Sequence, residues 1–81
     1  MNTYIVYKED LAPGKYISNG AHVFKVTSFP RVSNNRTIYL VDMICISGSN
    51  INFSYNIGEL GWPDYRVISP DEVTLLLLGR L

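Results

Sequence analysis

Residues 36–46 set the strongest constraint on how this chain folds. Ile38, Leu40, Ile44 and Ile46 fall on one side of an extended strand there, and Tyr39, Val41, Met43 and Cys45 on the other. Successive side chains of a strand point to opposite faces, so both faces of this one are apolar. That pattern belongs to a central strand covered on both sides. The length also allows a bend through which one strand serves two sheets. In either case the rest of the chain must supply the covers, and with 81 residues in all it forms one domain, residues 1–81, with a small core.

The remaining segments read mostly as short strands. Residues 3–8 are rich in aromatic and β-branched side chains, which suit a pleated, half-buried surface. Pro13-Gly14 marks a turn, and residues 15–18 form a second strand closed by Asn19-Gly20. Asn-Gly favours a tight type I′ hairpin, because both residues tolerate positive φ. Residues 22–28 form a third strand, with His22, Phe24 and Val26 on one face and Val23, Lys25 and Thr27 on a solvated one. Residues 29–35, with Pro30 and Asn34-Asn35, read as a loop. Ser47-Gly48-Ser49-Asn50 is a polar hairpin loop. Ile51, Phe53, Tyr55 and Ile57 then alternate with Asn52, Ser54 and Asn56, which predicts one buried face and one wet face. Residues 65–68 make a last short strand.

The C-terminus changes period. Ser69-Pro70-Asp71-Glu72 places Ser at the N-cap, Pro at N1 and Glu at N3 of a helix. The Ser oxygen accepts from the N3 amide and Glu reaches back to the N-cap amide, while Pro at N1 loses no helical bond. The helix therefore covers residues 70–78 and stops at Gly79. Val73, Leu76 and Leu77 form its docking face.

Together these elements predict a mainly β (β+α) fold: a small curved antiparallel sheet or SH3-like barrel of five or six short strands with one short C-terminal helix. The layout resembles that of SH3-like barrels in its long first loop, its tight hairpin at residues 47–50 and the short turn before the last strand. The acidic-aromatic first loop and paired tryptophans of peptide-binding SH3 domains are absent, so no family residue is carried over.

Composition narrows the function. Seven basic and seven acidic residues give a formal net charge of zero, and a general nucleic-acid coat needs surplus Lys and Arg. The zero conceals two halves. Residues 1–40 carry five basic and two acidic side chains, and residues 41–81 carry two basic and five acidic. If the fold keeps the halves apart, each meets a complementary partner patch; if the strands interleave, they neutralise each other. One Cys excludes a disulfide framework and a Cys-based zinc site, and no cofactor or metal is expected. No signal peptide or apolar run long enough for a membrane span is visible, and Cys45 reads as a buried reduced thiol. The expected location is cytoplasmic, with no membrane partner.

Candidate chemistry is sparse. His22, the only histidine, is a general base by type, but no nucleophile accompanies it in a recognisable motif, and its position fits a strand end. Cys45 sits between Ile44 and Ile46 and reads as core. Asp42, flanked by Val41 and Met43, reads as a buried carboxylate held by an Arg or a backbone amide, as a functional acid, or as a solvent-facing residue at a bend. No pair of the three has a spacing that fixes mutual geometry, so an enzyme is not expected.

The segment 57–65 looks like a loop by its Gly and Pro content, yet it carries large side chains. Leu60, Trp62, Asp64 and Tyr65 are the candidate protein-binding residues, since Trp and Tyr dominate interface hot spots. The competing reading folds Trp62 back as a lid on the core. Leu75, Leu78 and Leu81 exceed what one docking face needs and are candidates for self-association as a homodimer. The expected function is a non-enzymatic protein-binding module, in the manner of a small accessory protein or phage-type inhibitor that occludes the surface of a larger protein. The alternative is a small barrel that binds single-stranded nucleic acid, stacking bases on Tyr16, Phe29 and Tyr39 beside Arg31 or Arg36.

Overall fold

The computed structural model describes residues 4–33 and 37–79. Its strands are β1 (Ile5–Val6), β2 (Tyr16–Ser18), β3 (Val23–Val26), β4 (Arg31–Val32), β5 (Ile38–Cys45), β6 (Asn52–Gly58), β7 (Trp62–Pro63) and β8 (Arg66–Ile68), followed by helix α1 (Pro70–Leu78). A single 3₁₀ turn, Lys8–Asp10, lies between β1 and β2.

β5 lies inside the strand order, but only one of its faces is well covered: Val41 and Met43 are buried there, whereas Ile38, Leu40 and Ile44 on the other are half-buried. One edge pairs along its length with β6, from Ile38 opposite Gly58 to Ile44 opposite Asn52. The other edge pairs with β4 and then β3. The sheet continues through β2 to β8. β5 does not bend into a second sheet. Between Val26, opposite Met43, and Arg31, opposite Leu40, residues 27–30 stand against residues 41–42, which is a bulge. Ser28 and Thr27 repair the ladder there. The Asp42 amide donates to Ser28 Oγ (2.9 Å), and the Thr27 amide donates to the Asp42 carbonyl (2.8 Å).

The sheet is open rather than closed. Closure into a barrel requires the two outermost strands to meet, but β6 and β8 lie at opposite ends of the strand order. The Cα envelope is accordingly a slab, 41 × 33 × 16 Å. β1 and β7 form a separate two-stranded antiparallel ribbon, with Val6 opposite Trp62. Among the described residues there are thus eight strands, not five or six. The two extra ones, β4 and β7, are two-residue strands within segments that read as loops.

Each face of the sheet has its own cover. On the first face, Ile17, Phe24, Val26, Val41, Met43 and Ile57 pack beneath Val6 and Leu11 of the N-terminal segment, with Tyr55, Trp62 and Tyr65 at the margin. On the second face, Val23, Ile68 and Val73 pack together, with Tyr16, Ile46, Leu76 and Leu77 around them. The Val23 face is therefore solvated only in part: α1 covers Val23, whereas Lys25 is exposed. The β6 alternation is buried at one end only: Ile57 is buried, whereas Ile51 and Phe53 are each 52% exposed.

Local chemistry explains the ends of the elements. Ser69 Oγ accepts from the Glu72 amide at 3.2 Å, as expected of an N-cap. Glu72 does not complete a capping box; its carboxylate pairs with Arg66 Nη1 at 2.7 Å. Gly79 ends the helix in right-handed backbone, φ −66°. The β2–β3 connection is not a type I′ turn either. Asn19 Oδ1 accepts from the amides of Ala21 and His22, at 3.0 and 2.8 Å, and of the four loop residues only Gly20 has positive φ. That Asx turn satisfies the loop amides without a left-handed Asn.

Candidate functional site

Asp42 sits on the second face of β5 in a polar cluster. Its Oδ1 accepts from Ser54 Oγ at 2.6 Å and from Arg31 Nη2 at 3.2 Å. Arg31 also donates to Ser54 Oγ at 3.3 Å. Ser54 stands directly opposite Asp42 on β6, and the bulge carries Arg31 to the same place. The Ser54 hydrogen bond, and then the Arg31 guanidinium, hold the Asp42 carboxyl below the usual aspartate range. This is the structural reading of Asp42, a carboxylate paired with an Arg. Its folded pKa is depressed, so its contribution to stability is complete above the unfolded value of about 4 and is lost as pH falls through the folded value. Asp42→Asn is expected to flatten the acid limb of a pH-dependent urea unfolding series; an unchanged limb below pH of about 4 would rule out this pairing as a stabiliser.

The three polar candidates for catalysis do not meet. Asp42 and Cys45 project from opposite faces of β5. His22 is exposed in the β2–β3 loop, with its ring edge-on to Phe24 at 6.3 Å. Cys45 is half-buried rather than fully buried, a free thiol with Sγ 3.8 Å from Ser47 Oγ. No group of three His, Cys, Asp or Glu side chains capable of holding a metal occurs among the described residues. No helix there is long and apolar enough to cross a membrane.

The segment 57–65 separates into two layers, one packed and one exposed. Trp62 and Tyr65 belong to the inner one. The Trp62 indole donates to the Asn56 carbonyl at 3.0 Å, and its ring lies 5.5 Å from that of Tyr65. Tyr65 continues to Phe24 at 6.2 Å, and Phe24 meets Tyr55 edge-on at 5.9 Å. Asn19 Nδ2 donates to Tyr65 Oη at 3.4 Å. Burial raises the Tyr55 phenol above its usual value. These rings, with Met43 and Asn56, line a cavity of about 130 Å³. Trp62 is thus half-buried against these rings, with its indole N–H bonded within the chain.

Leu60 belongs to the outer layer. It is 88% exposed at the turn before β7. Gly61, at φ +72°, brings that turn close to β1: a Cβ built there would lie 3.1 Å from Ile5 Cγ2 and 3.2 Å from Tyr7 Cδ1. Ile5, Tyr7 and Tyr4 are themselves exposed. Tyr4 is tied to the same ribbon, its carbonyl accepting from the Asp64 amide at 2.8 Å. Asp64 is exposed, with φ +67°. The turn thus places the exposed Ile5 and Tyr7 close to Leu60, with the exposed Tyr4 next to Ile5 in the chain.

That surface has an acidic margin. The Asp10 carboxylate accepts from the Tyr7 amide at 2.9 Å, and Asp64 bonds back to Tyr4. Glu9 pairs with Lys8. The Glu9 hydrogen bond, with charge from Glu9, Tyr39 and Glu59, holds Lys8 above the usual lysine range. Glu59 is therefore close enough to Lys8 to act on it. Strands of the two halves pair as β1–β7 and β2–β8, and Arg31 pairs with Asp42, so the basic and acidic halves interleave rather than separate. The sequence alone pointed to Leu60 and Asp64 but missed Tyr4, Ile5 and Tyr7, whose proximity depends on the β1–β7 pairing.

The other candidate residues are dispersed. Tyr16 is half-buried under α1 on the second face. Arg31 is on that face too, engaged by Asp42 and Ser54. Tyr39 is on the first face, where Lys8 Nζ lies 5.0 Å from its ring centroid. It shares a cleft of about 340 Å³ with the exposed Phe29. Arg36 lies outside the described residues, as do Asn34 and Asn35. The set proposed for stacking bases is thus divided between two faces. Leu75 and Leu78 are 70% and 58% exposed on α1, and Leu81 lies outside the described residues. No protein-family model matches this chain, and neither the curated proteins nor the solved structures include one significantly similar to it, so the functional reading rests on its own geometry.

Proposed function

We propose that this chain is a non-enzymatic protein-binding module that acts by covering part of the surface of a larger protein. The observation that supports the reading is the β1–β7 ribbon, where the exposed Ile5 and Tyr7 lie close to the turn that carries the exposed Leu60. Exposed clusters of large apolar side chains with a polar rim mark interaction surfaces, and tyrosines anchor interfaces at low entropy cost because they have few rotors. The rim of Glu9, Asp10, Glu59 and Asp64 selects a partner with an apolar pocket and basic surroundings. An accessory or inhibitory role follows from occlusion alone and needs no catalytic group.

Affinity capture from cell lysate tests this with three baits: wild type, Leu60→Asp and Leu75→Asp. Both substituted leucines are exposed, so each bait should keep the wild-type melting temperature. The expected result is a captured protein that is lost with Leu60→Asp, retained with Leu75→Asp, and released by raised salt because of the acidic rim. Equal capture by Leu60→Asp would remove the ribbon as the binding surface. The nucleic-acid reading has its own check in fluorescence anisotropy with a single-stranded oligonucleotide at low salt, where the electrostatic attraction is strongest.

A further inference from the structure

We propose that the outer edge of β6 is a self-association surface, on which a second copy of this chain lays its own β6 antiparallel, with the two Phe53 side chains opposite each other. This surface is separate from the ribbon patch and does not depend on the function assigned to that patch.

The direction of the backbone groups on β6 follows from β5. The Asp42 amide and carbonyl both bond toward β3 and β4. In an antiparallel ladder the N–H and C=O of one residue point to the same side, and those of its neighbours to the other. Val41 and Met43 therefore bond toward β6, and their opposites Tyr55 and Phe53 bond back. Asn52, Ser54 and Asn56 must then turn their backbone groups outward. The Trp62 indole on the Asn56 carbonyl agrees with this phase. Among the described residues no strand pairs with that outer edge.

Folded proteins usually protect such an edge with charge, proline or brevity. The opposite edge of this sheet is protected: β8 has three residues, and its Arg66 pairs with Glu72 of α1. β6 has seven residues, and residues 51–58 contain no charge and no proline. Alternating outward N–H and C=O groups require an extended strand as occupant. A second β6 fits because it brings no charge against an uncharged edge, and because its groups are self-complementary.

The register follows from what remains open. Asn52 and Ser54 have outward groups without a partner among the described residues, whereas the Asn56 carbonyl is covered by Trp62. A two-fold axis at Phe53 pairs Asn52 of each copy with Ser54 of the other. It leaves Phe53 opposite Phe53 as a non-hydrogen-bonded pair, the kind with the closest Cβ atoms. Ile51 then faces Tyr55 of the second copy. The two exposed apolar side chains at this end, Ile51 just before β6 and Phe53 within it, both gain cover in this way.

Light scattering across a concentration series, with charge-swapped variants, tests the proposal. Wild type is expected to show a monomer–dimer equilibrium. Phe53→Lys and Phe53→Glu are each expected to be monomeric at concentrations where wild type is dimeric. Their equimolar mixture is expected to recover the dimer, since opposite charges then meet at the axis. Asn52→Pro, which removes an outward N–H and no β5 ladder bond, is a second monomerising variant. A wild type that stays monomeric throughout, a dimer that survives Phe53→Lys, or a mixture that fails to associate overturns the proposal. So does a dimer broken by Leu75→Asp and not by Phe53→Lys, which would place the interface on α1.

Discussion

Gly61→Ala is expected to lower stability by about 3 kcal/mol, about half from the backbone conformation and half from forcing β1 and β7 apart. The backbone at Gly61 has φ +72°, a left-handed conformation that costs an L-residue roughly 1–2 kcal/mol. A Cβ there would also lie 2.4 Å from the Val6 carbonyl oxygen. The obstacle is backbone, so no rotamer change relieves it, and the ribbon must shift. Val6 is 1% exposed and caps the first core face; losing a large part of that burial accounts for about 1–2 kcal/mol more. Gly14→Ala and Gly20→Ala are the controls, since both sites have φ +91° and nothing within 4 Å of the added carbon. Each should cost only the conformational part, roughly 1–2 kcal/mol. In a domain of this size the Gly61 variant should melt about 15 °C below wild type. A Gly61→Ala midpoint equal to that of Gly20→Ala would mean that the close approach of β1 and β7 does not exist in solution. The same variant should weaken partner capture, because the patch is assembled by that approach.

How much of this was legible beforehand depends on the range of the interactions involved. β5 was legible as a central strand because apolar residues lie on both of its faces, whereas whether it bends was not. The start of α1 was legible because Ser69 and Pro70 act within one turn. β4 and β7 were not. Trp62–Pro63 is a strand only through β1, at the other end of the chain, and Arg31–Val32 only through the two-residue pairing with β5 beyond the bulge, while the neighbouring prolines read locally as punctuation. The β2–β3 turn was misread because Asn19 has two ways to serve a turn, by positive φ or through its side chain, and composition does not choose between them. Barrel closure depends on whether the outermost strands meet, and that is a property of the whole strand order. The site divides in the same way. Leu60 stood out as an apolar side chain at a turn, whereas Ile5 and Tyr7 became part of its surface only once the ribbon formed.

Trp62 is the residue whose two readings differ most in consequence, and its truncation is expected to show it as a structural support. Trp62→Ala removes the indole hydrogen bond to Asn56, the contact with Tyr65 and the cover over Met43 and Tyr55. Large aromatic-to-Ala changes in packed sites cost about 3–5 kcal/mol. The indole here is half-buried, so the lower end, about 3 kcal/mol, is expected. Trp62→Phe keeps a ring against Tyr65 and gives up the hydrogen bond. The Asn56 carbonyl points outward from the sheet edge, where water replaces the lost donor, so the cost should be about 1 kcal/mol. Stability of an 81-residue domain is on the order of 4–12 kcal/mol, and Trp62→Ala therefore removes a large fraction of it. Urea unfolding followed by circular dichroism gives both values. An anchor residue would behave differently: Trp62→Ala would leave the midpoint within about 0.5 kcal/mol of wild type and abolish capture. The structure predicts the reverse order, with Leu60→Asp neutral for folding and decisive for binding, and with Trp62→Phe nearly neutral for both.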